Sequence, residues 1–131
     1  MKTKLKWLIL GILSLCIFEL NAQSFQVTDV KGGSSIDEHL LRRTQKNLLG
    51  RVVSIKEYNN TIVMEDDGEK FIFNHKKGDT YECKEYETFG NDTYEYCLKM
   101  TINKFLGYYK SILIRVEKNG KFIYEYKLER K

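Results

Sequence analysis

The sequence predicts a mainly β fold: an antiparallel up-and-down meander of about seven strands, forming a small barrel or curved sheet, with one N-terminal helix. Three observations carry that expectation. Tyrosine and phenylalanine are abundant, with nine and seven copies, and aromatic residues favour strands. From Arg51 onward apolar and polar residues tend to alternate, and short turn signals interrupt the alternation. The chain also has no proline and no linker-like or repeated tract. Successive hairpins with one apolar face each tend to curl and close, because closure removes exposed strand edges; a flat-faced sandwich is the alternative.

The first 22 residues are expected to be a secretory signal peptide. Lys2, Lys4 and Lys6 form a basic start, and Trp7 to Phe18 is apolar apart from Gly11 and Ser14, too short to span a bilayer comfortably. Asn21-Ala22 offers a small residue at a cut before Gln23, although Leu20 is larger than the usual third residue back; a retained anchor is the alternative. Leu15 before Cys16 is unlike the small residue that precedes a lipidated cysteine, so Cys16 is expected to leave with the signal. An exported chain with two remaining cysteines, in the periplasm or outside the cell, results.

Removal of residues 1–22 leaves 109 of 131 residues, enough for one domain with a modest core. Formal net charge falls from +4 to +2, because three lysines and Glu19 are lost. Bulk charge therefore argues against nucleic acid as a partner. Its distribution says more, because Glu82, Glu85, Glu87, Asp92 and Glu95 crowd one stretch and the chain from Lys99 onward is rich in lysine and arginine. The pattern suggests a dipolar molecule.

Residues 23–34 are polar and include Lys31-Gly32-Gly33, which suggests a flexible arm before a domain covering residues 35–131. A helix follows. Ile36, Leu40, Leu41, Leu48 and Leu49 recur at helical spacing, Ser35 with Glu38 fits a capping box, and Gly50 suits the stop. His39 beside the stripe is expected to be a surface histidine.

Strands begin at Arg51, with turns at Asn59-Asn60 and Asp67-Gly68. Pairing Asp66 with Glu69 sets Met64 against Phe71, Ile62 against Phe73 and Glu65 against Lys70, giving one apolar face and matched charges on the other. A slip of one residue would destroy both features. His75 to Asp79 is the next loop, and its lone histidine has no partner spacing for metal or base chemistry.

Thr80 to Asn103 is a tyrosine-rich hairpin turning near Gly90. Centred there, it sets Cys83 opposite Cys97, which predicts a disulfide closing a loop of about 15 residues. Two free thiols or a zinc half-site are the alternatives. Phe105-Leu106-Gly107-Tyr108-Tyr109 is an aromatic loop, expected either to tuck under the sheet or to present a surface. The last hairpin turns at Lys118-Asn119-Gly120. A three-residue loop there would set Val116 against Phe122, Ile114 against Tyr124 and Ile112 against Tyr126, a continuous apolar face.

Leu48-Leu49-Gly50-Arg51-Val52-Val53 resembles the opening of lipocalin-like barrels, which carry a glycine just before the first strand; the tryptophan they place two residues later is Val52 here. The hairpin with Tyr81-Glu82-Cys83 is also similar to small periplasmic lysozyme inhibitors. The first resemblance implies a non-enzymatic binding barrel, with Phe71, Phe73, Tyr94, Tyr96, Met100, Ile114 and Tyr124 around a small apolar or amphipathic ligand. The second implies a protein-interaction module, in which Phe89, Phe105, Tyr108 and Tyr109 would touch an envelope protein. No paired-carboxylate, Ser-His-Asp or Cys-His set points to an enzyme, and no cofactor or metal site is expected.

Overall fold

Eight antiparallel strands follow one another around a closed barrel, each hydrogen-bonded to its neighbours in sequence and the last to the first. The computed structural model describes residues 22–34 and 36–131. The expected signal peptide, with Cys16, lies outside the described residues. The strands are β1 (Gln23–Gly32), β2 (Val52–Tyr58), β3 (Thr61–Asp66), β4 (Glu69–Lys77), β5 (Thr80–Phe89), β6 (Asp92–Phe105), β7 (Tyr108–Lys118) and β8 (Lys121–Arg130); helix α1 (Glu38–Leu48) joins β1 to β2.

The expected arm at residues 23–34 is instead mostly β1, which makes eight strands rather than seven. It pairs with β2 through Gln23↔Ile55 to Gln26↔Val52, and with β8 through Phe25↔Arg130 to Gly32↔Tyr124. Its apolar residues escape strict alternation because the β8 ladder is irregular between Val27 and Asp29. Phe25 and Val27 point inward, the bulge adds a residue, and Val30 points inward again.

Packing fills the barrel. Phe25, Phe73, Ile62, Met64, Met100, Ile112, Ile114 and Leu128 are almost completely buried, and among the described residues no polar or charged one belongs to the buried set. Charged residues face outward, where Lys99 of β6 reaches Glu117 of β7 at 3.2 Å and Arg115, on the same strand as Glu117, reaches it at 3.3 Å. Each such exposed pair contributes little. Apolar-in and polar-out is the reverse of a lipid-spanning barrel. No helix among the described residues is long and apolar enough to cross a membrane.

The β3–β4 register is the expected one, including Met64↔Phe71, Ile62↔Phe73 and Glu65↔Lys70. Two other hairpins differ. β5 and β6 turn on Gly90-Asn91, pairing Phe89 with Asp92, so Cys83 meets Leu98 and Cys97 meets Lys84. That single-residue shift puts the cysteines on opposite faces, and both are free thiols. β7 and β8 turn on two residues, Asn119 and Gly120, pairing Lys118 with Lys121 rather than Val116 with Phe122. An irregularity next to Glu117 then sets Val116↔Tyr124, Ile114↔Tyr126 and Ile112↔Leu128. The continuous apolar face survives, with a bulge where a longer loop was expected.

The helix is shorter than its stripe suggested. Asp37 is the N-cap, its carboxylate accepting from the His39 backbone N–H at 3.1 Å, while Ser35 lies outside the described residues. No residue of α1 is buried, so it rests on the barrel rather than completing the core. Gly33 permits the close crossing of β1 and β8 beneath it. A Cβ there would stand 2.7 Å from the Phe122 carbonyl oxygen, and the Gly33 N–H donates to the Ile123 carbonyl at 2.6 Å.

Four non-glycine residues have positive φ: Asn59, Asp67, Asn119 and Leu106, the last at 51°. Asparagine and aspartate tolerate that region, whereas leucine is strained there. Leu106 gains little in return, being 81% exposed. Leu106→Asn is expected to stabilise the fold by about 1 kcal/mol in chemical denaturation. Gly33→Ala is expected to cost about 1–3 kcal/mol by the same measurement, because the contact it creates is with backbone.

Candidate functional site

The meander sends its turns alternately to two ends of the barrel, and the two mouths differ chemically. One mouth gathers α1 and the turns after β3, β5 and β7; the other gathers the turns after β2, β4 and β6 with the start of β1 and the end of β8.

At the first mouth, called here the helix mouth, α1 and the β7–β8 hairpin enclose an open cleft of about 550 Å³. Ile36, Leu40, Ile123 and Tyr124 supply apolar walls, and Lys118 and Lys121 stand at the rim. Leu40 is 47% exposed and Tyr96 closes the floor. The Lys118 ammonium lies 4.3 Å from the Tyr94 ring centroid and 5.8 Å from that of Tyr96, so two aromatic faces hold it near the cleft. Deeper in the mouth the Tyr124 and Tyr126 rings stack at 6.2 Å. Burial pushes the pKa of both phenols above its ordinary value, so they stay protonated.

Beside them Arg51 reaches the Asp66 carboxylate at 3.3 Å, and the second Asp66 oxygen is buried without a hydrogen-bond partner among the described residues. Burial outweighs the arginine, so the carboxyl titrates above its ordinary value. The Cys83 thiol, on the inner face of β5, donates to the Glu85 carboxylate at 3.6 Å. Burial, reinforced by Glu85, pushes it up to about 11. Cys97 is half-buried on the outer face, and burial followed by Glu82 raises it as well.

The opposite mouth holds a smaller polar cleft of about 410 Å³, lined by Gln23, Ile55, Glu57, Gly107, Tyr108 and Tyr109. The Tyr109 hydroxyl is buried there beside the Glu57 carboxylate, and Gln23 Oε1 is buried without a hydrogen-bond partner among the described residues. Burial first, and the Glu57 carboxylate second, suppress ionisation of Tyr109. His75 at the nearby β4–β5 turn is exposed and lies within 2.8 Å of the Gly78 carbonyl. Among the described residues no group of three His, Cys, Asp or Glu side chains is placed to hold a metal.

The residues expected around a ligand separate into two sets. Phe73, Met100 and Ile114 lie wholly inside the packed core and line none of these clefts. Phe71, Tyr94, Tyr96 and Tyr124 gather at the helix mouth, where Phe71 and Tyr96 also line a shallow cleft between β4 and β5. The residues expected at a partner surface do not form one patch. Phe89 projects from the β5–β6 turn at the helix mouth, whereas Phe105 and Tyr108 project from the opposite end. Tyr109 is only 7% exposed and belongs to the core, so the aromatic loop is half tucked and half presented. Sequence reasoning missed Lys118, Lys121 and Ile123. Their two-residue turn and the neighbouring bulge are what place them facing α1.

The chain is therefore a small, packed meander barrel with two unlike mouths. No protein-family model matches it, and neither a curated protein nor a solved structure does.

Alkylation under denaturing, non-reducing conditions is expected to label both Cys83 and Cys97; in the native barrel at neutral pH, Cys97 should react first and Cys83 hardly at all. Arg51→Met is expected to cost about 1 kcal/mol at pH values above the raised Asp66 pKa, where the carboxylate is ionised. Ionised Asp66 opposes folding, since its folded-state pKa exceeds the unfolded one. The penalty of losing Arg51 should therefore fade as pH drops through that raised value, which denaturation across a pH series checks.

Proposed function

We propose that the protein is an exported, non-enzymatic binding protein that takes a small amphipathic ligand with an acidic head in the cleft between α1 and the β7–β8 hairpin. The observation that carries this reading is the juxtaposition in one open cleft of Ile36, Leu40, Ile123 and Tyr124 with Lys118 and Lys121. Apolar walls favour a hydrocarbon body, and paired ammonium groups at the rim favour a carboxylate or sulfonate head. The partial exposure of every α1 residue supports it further, because the helix can adjust over a ligand without breaking the core.

Eight-stranded closed meanders are the architecture of lipocalins, which supports the lipocalin-like resemblance at that level alone. The ligand position differs from the one anticipated from sequence. Phe73, Met100 and Ile114 fill the interior, so binding moves to the mouth.

Anilinonaphthalene sulfonate is the first probe, with dodecanoate as competitor. The expected result is fluorescence enhancement that dodecanoate reverses, and an affinity lowered about tenfold in Leu40→Asp and in Lys118→Glu. Ile114→Val, inside the packed core, should leave binding unchanged. Absence of competition, or equal loss in all three variants, would remove this reading.

A further inference from the structure

We propose that the mouth opposite α1 docks on an anionic lipid surface, with the tip of the β6–β7 hairpin as its apolar probe. The ladder of β6 with β5 ends at Thr80↔Thr101, and that of β7 with β8 ends at Ser111↔Glu129. Beyond those points the hairpin continues on its own through Lys104↔Tyr109 and Phe105↔Tyr108. Past an irregularity at Asn103 and Lys104 it bends towards the mouth, with Gly107 and Tyr108 beside Gln23, Ile55 and Glu57, and leaves Phe105 and Leu106 facing solvent.

Its end is apolar and uncovered. Phe105 is 62%, Leu106 81% and Tyr108 60% exposed. Leu106 occupies a positive-φ turn position where three other hairpins of this barrel use asparagine or aspartate. The fold therefore carries a locally strained, solvent-facing leucine that its own packing does not require.

Cations surround this tip. Lys104 and Lys110 flank it in sequence, and the Arg130 guanidinium lies 5.7 Å from the Tyr108 ring centroid, bordering an apolar cleft with Phe105 and Tyr108. Lys76, Lys77 and Lys131 belong to the same end of the barrel. The opposing acids there are Asp79, paired with Lys104 at 3.5 Å, Glu129, paired with Lys127 at 3.2 Å, Glu82, paired with Lys76 at 3.8 Å, and Glu57. Cations outnumber them, and an apolar and aromatic tip inside a basic collar fits a negatively charged headgroup layer over hydrocarbon. A neutral protein groove would match the tip but leave the collar unanswered.

The described chain also enters the barrel at this end, through Ala22 and Gln23. Docking would leave the α1 cleft facing away from the membrane.

The test is sedimentation of the protein, purified after export through its own N-terminal segment, with vesicles of phosphatidylcholine alone or mixed equally with phosphatidylglycerol. The expected result is binding to the mixed vesicles only, weakened by salt. Leu106→Asn, the variant expected to fold more stably, should lower that binding about tenfold or more. Lys110→Gln should lower it by a smaller factor. Phe89→Asn, which removes an equally exposed aromatic at the helix mouth, should leave it unchanged. The proposal is overturned if the protein ignores phosphatidylglycerol, if Leu106→Asn binds like the parent, or if Phe89→Asn loses as much. It is also overturned if sedimentation velocity without lipid shows the tip engaged in self-association that Leu106→Asn abolishes.

Discussion

Everything in this molecule depends on β1 filling the gap between β2 and β8. Without it the sheet would end in two open edges, each a row of unpaired backbone donors and acceptors. With it, Phe25, Val27 and Val30 complete the inner layer against Val53, Leu128 and Tyr126. The strand manages this despite an irregular ladder, because the extra residue near Thr28 returns Val30 to the inside. Gly33 then lets the chain leave the barrel over β8 at a distance that a side chain would prevent, and Gly32 lets Ile36 and Leu41 pack close to the strand end.

Closure has a second consequence, which is that chemistry moves to the ends. A small barrel lined by phenylalanine, tyrosine, methionine and branched aliphatic residues fills itself, and its interior can hold few polar groups. Polar and titratable groups collect where strands emerge: Arg51, Asp66 and Tyr126 at the helix mouth, Glu57 and Tyr109 at the other. The one long connection, between β1 and β2, supplies α1 to a single mouth. An up-and-down meander thus yields two different ends, one sheltered by a loosely seated helix and one ending in an aromatic hairpin among lysines.

Much of this was legible because strand alternation and turn chemistry are local. Asp67-Gly68 and the charges around it specified the β3–β4 register, since only one pairing gives a uniform apolar face. The same logic failed at the central hairpin. There both faces of Glu85–Glu95 are polar, so the pattern does not penalise a slip of one residue, and symmetry about Gly90 suggested a pairing of Cys83 with Cys97 that the two-residue turn does not allow. In β1 and β8 the bulges hid strand and register alike, because each breaks the period that makes a strand recognisable.

The sequence by itself determined the mainly β class, the order of strands after the helix, most turn positions and the charge asymmetry, because each rests on residues near one another in the chain. The tertiary structure alone decided closure over a curved sheet, the loss of the cysteine pairing and the gathering of Lys118, Lys121, Ile36 and Leu40 in one cleft. Those outcomes depend on register and on residues far apart in sequence. A shift of one position changes the face on which a side chain lies, and it costs little locally wherever both faces are polar.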